Sequence, residues 1–436
     1  MTDRMRLSDD LIRFALTPPD DGADVGLAAA VMAELDQTEQ RRYWWTPFVR
    51  WFGPLGPSRE LRLAAVLAVV LAILLATALV VGTRQPHPLG DGSMFHGGPA
   101  RTGEMIGPGP VIGAKILWSV PLGGPLTNSM PALAGDGLYV ADGRGNVGVL
   151  DAATGASGWT RSLPKPATSP AIAGGVLVVS AGDGVYGLDA ATGMVDWHLV
   201  TDAPVQSAPA IVGPTVYIGL PDGSLAAVDL KSGSVGWRTA VGGAITRAPA
   251  VADGLVFAGG DGGHFAAVRA ADGTVAWRTE LGAGAVGSPA VRDGVVYAPA
   301  GLGVDTGHVL SALSASDGAT RWQFSTSGGQ EVYVGAVGPE LTYVVSQDGK
   351  VYALRQGSVA WVFDGQAPIG SVASLANGLL YVSVGSGDVI ALDASSGIER
   401  WAVNVAGDPG PAIAADGRLY VGTNVGVLAA LAESSP

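Results

Sequence analysis

Residues 187–197 read GLDAATGMVDW, and forty positions on, residues 227–237 read AVDLKSGSVGW. The two stretches share an Asp, a Gly four residues later and a Trp four beyond that, and Asp393, Gly397 and Trp401 repeat the spacing. Read outward from these, Trp stands at 118, 159, 197, 237, 277, 322, 361 and 401, at intervals of 41, 38, 40, 40, 45, 39 and 40 residues. A fixed period of this length marks a repeat architecture in which each unit buries its apolar faces against its neighbours. Within a period the order is Pro-Ala with a short apolar run, a turn, an alternating strand, a Gly-rich turn, a second apolar strand, the Asp turn, and the Trp strand, which is four short strands.

The turns fit that reading. Asp136-Gly137, Asp253-Gly254, Asp293-Gly294, Asn377-Gly378 and Asp416-Gly417 supply the positive φ of two-residue hairpins, and Asp222-Gly223 and Asp348-Gly349 serve the next hairpin. Seven complete units run from Pro131 to Trp401, and residues 411–431 supply three further strands with no closing Trp. The missing strand lies at the other end, where Ile116-Leu117-Trp118-Ser119-Val120 stands without three strands before it. Joining the two makes an all-β ring of eight blades, an eight-bladed β-propeller closed by its N-terminal strand and left without a free sheet edge between its ends.

The repeat resembles the A-x-D-x-x-T-G-x-x-x-W tryptophan-docking repeat of the quinoprotein-like (PQQ-like repeat) propeller family. The resemblance covers residues 93–431 and includes the lead-in Met94-Phe95-His96-Gly97-Gly98 to Arg101-Thr102-Gly103. It implies that Trp118, Trp159, Trp197, Trp237, Trp277, Trp322, Trp361 and Trp401 are structural, each indole packing between adjacent blades. Trp361 follows Ala353 two residues early, and Gly335-Ala336 stands where Pro-Ala is expected.

Ahead of the repeats, residues 63–82 read LAAVLAVVLAILLATALVVG, twenty positions without a charge, which is the length of a membrane-spanning helix. Arg41, Arg42, Arg50, Arg59 and Arg62 precede the run and Arg84 alone follows closely, so the expected orientation is N-terminus cytoplasmic and propeller extracytoplasmic. The expected organisation is a cytoplasmic helical segment over 1–60, a single transmembrane helix over 61–83, a linker and lead-in over 84–114, and the propeller over 115–436. Trp44, Trp45, Phe48, Trp51 and Phe52 read as an interfacial aromatic stretch beside the arginines. Ala64, Ala68, Ala72 and Ala76 form a small-residue stripe compatible with weak helix-mediated homo-oligomerisation.

Charge and composition narrow the function. Residues 1–62 carry eight Lys/Arg and ten Asp/Glu; residues 84–436 carry seventeen and twenty-eight, a balance of −11. Such a domain repels a phosphate backbone, so no nucleic-acid partner is expected. With no Cys in the chain, thiolate metal sites, thiol nucleophiles and disulfides are excluded. The five His, at 87, 96, 198, 264 and 308, share no metal-ligand spacing, and no metal is expected.

The family resemblance implies two kinds of activity. Quinoprotein alcohol dehydrogenases hold pyrroloquinoline quinone and calcium, whereas the propeller lipoprotein of the outer-membrane β-barrel assembly machine only binds partners. The enzyme reading needs calcium ligands, an Asp base and commonly a disulfide over the quinone; here the Asp residues fall in repeat turns and Cys is absent. The expectation is therefore a noncatalytic, membrane-anchored propeller, without cofactor, that binds an extracytoplasmic protein or envelope ligand. The alternatives are a quinone-dependent oxidoreductase and a transmembrane sensor. The unit ending at Trp322 is the longest, and its extra residues, around Pro299, Val304, Asp305 and His308, are expected to form a protruding binding loop.

Overall fold

A computed structural model describes residues 94–434, apart from 106, 127–128, 303–307, 327–328 and 370–371. Residues 1–60, the span at 61–83 and Val304 and Asp305 thus lie outside the described residues. No helix among the described residues is long and apolar enough to cross a membrane.

The strands assemble into eight sheets among the described residues. The third blade is typical: Ala210–Val212, Thr215–Gly219, Ser224–Asp229 and Val235–Ala240 lie side by side in chain order. The neighbouring blades follow at residues 132–162, 171–200, 250–280, 285–324, 332–364 and 374–404. The eighth joins Pro409–Ala415, Arg418–Thr423 and Val427–Glu433 to Ala114–Pro121, as the phase of the repeat demands. The fifth blade departs from four strands, because Ala285–Val286 pairs with the far end of Val295–Leu302.

Alternation along each strand leaves both faces apolar, so the core lies between blades rather than within them. Eight buried clusters occur among the described residues, each shared by two neighbouring blades. One joins Val178, Val185 and Trp197 of the second blade to Val216, Ile218 and Leu230 of the third.

The hairpins between first and second strands are two-residue turns, with Asp253, Asp293, Asn377 and Asp416 at φ 50°, 49°, 52° and 51° before their glycines. One turn differs from the sequence expectation. Ala134 pairs with Gly137, so the turn is Gly135-Asp136 rather than Asp136-Gly137, with Gly135 at φ 57°. The short spacing before Trp361 is also explained: Arg355 pairs with Ser358 across a Gln356-Gly357 turn, both residues with positive φ. That two-residue turn replaces the longer Asp turn used elsewhere.

Each Trp strand carries a bulge immediately before or beside its Trp. In the third blade Ala227 faces Trp237 and Val228 faces Val235, which leaves Gly236 unpaired. The bulge recurs in the other seven blades, including between Ile116 and Trp118 in the closing strand. A bulge bends the strand and re-aims a side chain. Here the indole reaches into the next blade, where the Nε1–H of Trp159, Trp197, Trp237 and Trp277 donates to the carbonyls of Ala190, Leu230, Ala270 and Ala315 at 2.9, 2.8, 3.0 and 2.9 Å. The ring lies on the glycine of that blade's Asp turn. A Cβ on Gly233, at φ +70°, would stand 2.7 Å from Trp197, so a side chain there would displace the ring. Trp322 rests on Gly357 in the same way.

In four blades the tyrosine of the second strand donates to the same carbonyl as the indole. Tyr217 and Trp237 share Ala270, Tyr343 and Trp361 share Ala394, Tyr420 and Trp118 share Ala152, and Tyr381 and Trp401 share Pro110. The Asp turn is fixed from within. Asp229 Oδ1 accepts from the backbone N of Lys231 and Ser232 and from the Ser232 hydroxyl, and these bonds hold its carboxyl below the ordinary value.

At the eighth blade the Asp turn cannot exist, because the third and fourth strands belong to opposite ends of the chain. The lead-in fills the gap: Pro110 supplies the carbonyl, and the Glu433 carboxylate accepts the N–H groups of Val111 and Ile112 at 2.6 and 2.7 Å. Trp237→Phe keeps an aromatic six-membered ring but removes the Nε1–H donor and the pyrrole ring, with an expected loss of about 1–2 kcal/mol. Trp237→Ala should cost about 3–5 kcal/mol, read from the urea midpoint; a Phe variant as stable as the parent would contradict the hydrogen-bonded role.

Candidate functional site

The innermost strands surround a central channel, and the lead-in residues 94–105 run across it. The Pro99, Ala100, Thr102 and Gly103 carbonyls accept from the backbone N of Val251, Val291, Val337 and Leu375, in four successive blades, at 2.7–2.8 Å. Met105 N returns a bond to Leu375 O, and Glu104 bridges Leu375 in parallel. The sequence reading placed this segment before the propeller; the structure places it inside, as a plug.

Two side chains pin the plug. Arg101 is fully buried, with Nε donating to Pro249 O at 3.0 Å, NH2 to Pro209 O at 2.8 Å and NH1 to Phe95 O, while the guanidinium stands 5.4 Å from the centre of the Phe95 ring. No carboxylate pairs with it among the described residues, and burial pushes it down to about 9, still cationic at neutral pH. His96 Nε2 lies 2.6 Å from Gly335 O; since a carbonyl only accepts, Nε2 carries the proton. Burial lowers His96 to about 4, so the ring is neutral. Gly103, at φ +69°, must lack a side chain, because a Cβ would stand 2.5 Å from His96 Nε2.

Phe95 and His96 form the floor of a vestibule of about 450 Å³, open where the chain crosses from one blade to the next. Its walls include Thr168, Gln206, Thr246, Arg247, Ser288 and Tyr333, with Pro166, Pro299 and Pro411 between them. The hydroxyl of Tyr333 donates to Glu331, and burial together with that bond pushes the phenol up to about 12. A second, larger groove of about 1020 Å³ lies along the plug's exit, between Val111, Ile112 and the sixth and seventh blades. Its charged residues are already paired, Glu340 with Arg355 and Asp393 with Arg400.

The eight Trp residues are placed at blade junctions and none lines the vestibule. The expected loop is only partly a loop. Pro299 belongs to strand Val295–Leu302, faces Leu310 and lines the vestibule; its carbonyl accepts from Gly287 N. His308 is 4% exposed, so it is a buried residue rather than a surface one. Val304 and Asp305 lie outside the described residues. The vestibule itself escaped sequence reading because its lining comes from the lead-in and from seven different crossings between blades.

A calcium–quinone pair does not fit this lining. No Asp or Glu lines the vestibule among the described residues, and among them no cluster of three or more His, Asp or Glu could hold a metal ion. The acids of the repeat turns are engaged by their own turns, as with Asp151, Asp189 and Asp393.

A family model described as outer membrane protein assembly factor BamB matches residues 113–248, 232–362 and 347–435. Among solved structures, BamB from Moraxella catarrhalis is 21% identical at a TM-score of 0.60, covering 74% of this chain and 98% of that one. The quinohemoprotein alcohol dehydrogenase from Comamonas testosteroni is 14% identical at 0.62, covering 79% and 81%. The computationally designed Ika8 protein is 16% identical at 0.60, covering 74% and 99%. At these identities the likeness is one of fold. A comparison with curated proteins finds no match.

The plug makes a pH prediction. A neutral His96 with a lowered pKa opposes protonation, so stability present above the unfolded value of 6.5 is lost as pH falls from 6.5 toward 4. The loss is on the order of 3 kcal/mol. The turn aspartates, held below 3.8, act only at lower pH. Denaturant midpoints between pH 7 and 4 should fall steeply for the parent and shallowly for His96→Gln; equal slopes would contradict a buried neutral His96.

Proposed function

Since this chain belongs to the family of the outer membrane protein assembly factor BamB, we propose that it is a noncatalytic binding scaffold. Its propeller would act outside the cytoplasm, held by the apolar segment 63–82, and engage a protein or envelope ligand. The observation that carries the reading is the commitment of the repeat carboxylates to turns, while the channel is filled by the chain's own lead-in. A rigid ring presenting loops of differing length suits recognition rather than bond-making.

The quinone-dependent oxidoreductase is the second reading, favoured only by the shared propeller fold of the Comamonas enzyme. It predicts that added quinone and calcium change the absorbance of the protein, and the scaffold reading predicts no change.

The scaffold is tested in cells by photo-crosslinking from Val200, which is 69% exposed where its blade crosses to the next, and from Val304 and Asp305. A control probe sits at Ile398, 63% exposed on the opposite side of the blades. The expected result is one envelope species, identified by mass spectrometry, captured from the first set and not from the control. Capture at background level from every position would contradict the proposal.

A further inference from the structure

The vestibule has a chemical bias that the rest of the surface lacks. Residues 84–436 carry twenty-eight acids against seventeen bases, yet no acid lines this cavity among the described residues. Besides His96 and Tyr333, which are bonded to Gly335 O and Glu331, its polar walls are Thr168, Gln206, Thr246, Arg247 and Ser288. Ser288 Oγ already accepts from Ala248 N, which leaves its hydroxyl proton to be directed elsewhere.

Two cations set the field. Arg247 is exposed at the wall and forms no ion pair among the described residues. Arg101 lies beneath the floor, against the Phe95 ring, and is held only by carbonyls. The nearby acid Glu331 accepts from Tyr333 and Gln347. Two guanidinium groups without carboxylate partners, beside low-dielectric walls, focus a positive potential into the cavity. The remaining walls, among them Phe95, Leu302, Val334 and Val372, are apolar, and the volume of about 450 Å³ suits a ligand of small-peptide size.

We propose that the vestibule is a blind socket for a carboxylate carried on a short apolar body, with Arg247 and the adjacent Ser288 hydroxyl receiving the carboxylate and Phe95 packing against the body. The proposal rests on the noncatalytic reading of the propeller. The carboxylate belongs either to a polypeptide C-terminus or to a free organic acid, and the recognition chemistry is the same for both.

Calorimetric titration of the full chain with N-acetyl-Ala-Phe, its C-terminal amide and 3-phenylpropionate separates the cases. The dipeptide acid should bind and the amide should bind at least about tenfold more weakly. Arg247→Gln, at an exposed side chain, should weaken the acid by about tenfold or more with an unchanged melting temperature. Binding of the dipeptide acid without phenylpropionate assigns a chain end; equal binding of both assigns a small acid. No saturable binding of either acid at roughly millimolar concentration, equal affinity for acid and amide, or indifference to Arg247→Gln would overturn the socket. Crosslinking from Val200 does not depend on Arg247, so the scaffold reading and the socket fail separately.

Discussion

The ring depends on a single recurring contact, the indole of one blade seated on the turn of the next and hydrogen-bonded to its carbonyl. A four-stranded blade with two apolar faces cannot bury itself, so its stability comes from its neighbours. The indole couples that non-directional burial to a geometric condition: the next turn must present a carbonyl and a glycine without a Cβ. The bulge before Trp237 and its counterparts exists to aim the ring, and the Asp turn exists to hold its seat. Damage to either should propagate to the adjoining blade.

The same contact explains how the ring closes. Seven blades carry their own seat, but in the eighth the two strands that would flank it come from residues 114–121 and 427–433. The carbonyl of Pro110 and the carboxylate of Glu433 rebuild the seat from two chain ends. The lead-in that delivers Pro110 has already crossed the channel, pinned by Arg101 and His96. Closure and plugging are therefore one structural event, and the vestibule takes its floor from the same segment.

Much of this was legible in the sequence, for a physical reason. The Trp period, the Asp-Gly turns and the orphan strand at 116–120 are local signals, and periodicity turns local signals into global count and phase. The Gly135-Asp136 shift was missed because a Gly stands on both sides of Asp136, so two hairpin registers share one composition. The extra residues of the fifth blade were read as loop, yet Pro299–Leu302 continues a strand because Ala285–Val286 adds a partner for it. The plug was missed for a different cause. Pro99, Ala100, Thr102 and Gly103 bind through backbone carbonyls, and backbone pairing across 150 or more residues leaves no side-chain pattern to read. The lead-in motif did hold a clue, since Arg101, between Gly98 and Gly103 in an otherwise acidic domain, is the residue that ends up buried.

The joining of the two chain ends is the claim on which blade count, plug and vestibule all stand. Because the chain has no Cys, Lys115→Cys with Ala432→Cys introduces a single pair, at positions that face one another in the closing sheet. Mild oxidation of the purified full-length variant should give a nearly complete intramolecular disulfide and a raised melting temperature. Free thiols, or disulfides found only between molecules, would show that residues 114–121 do not complete the last blade.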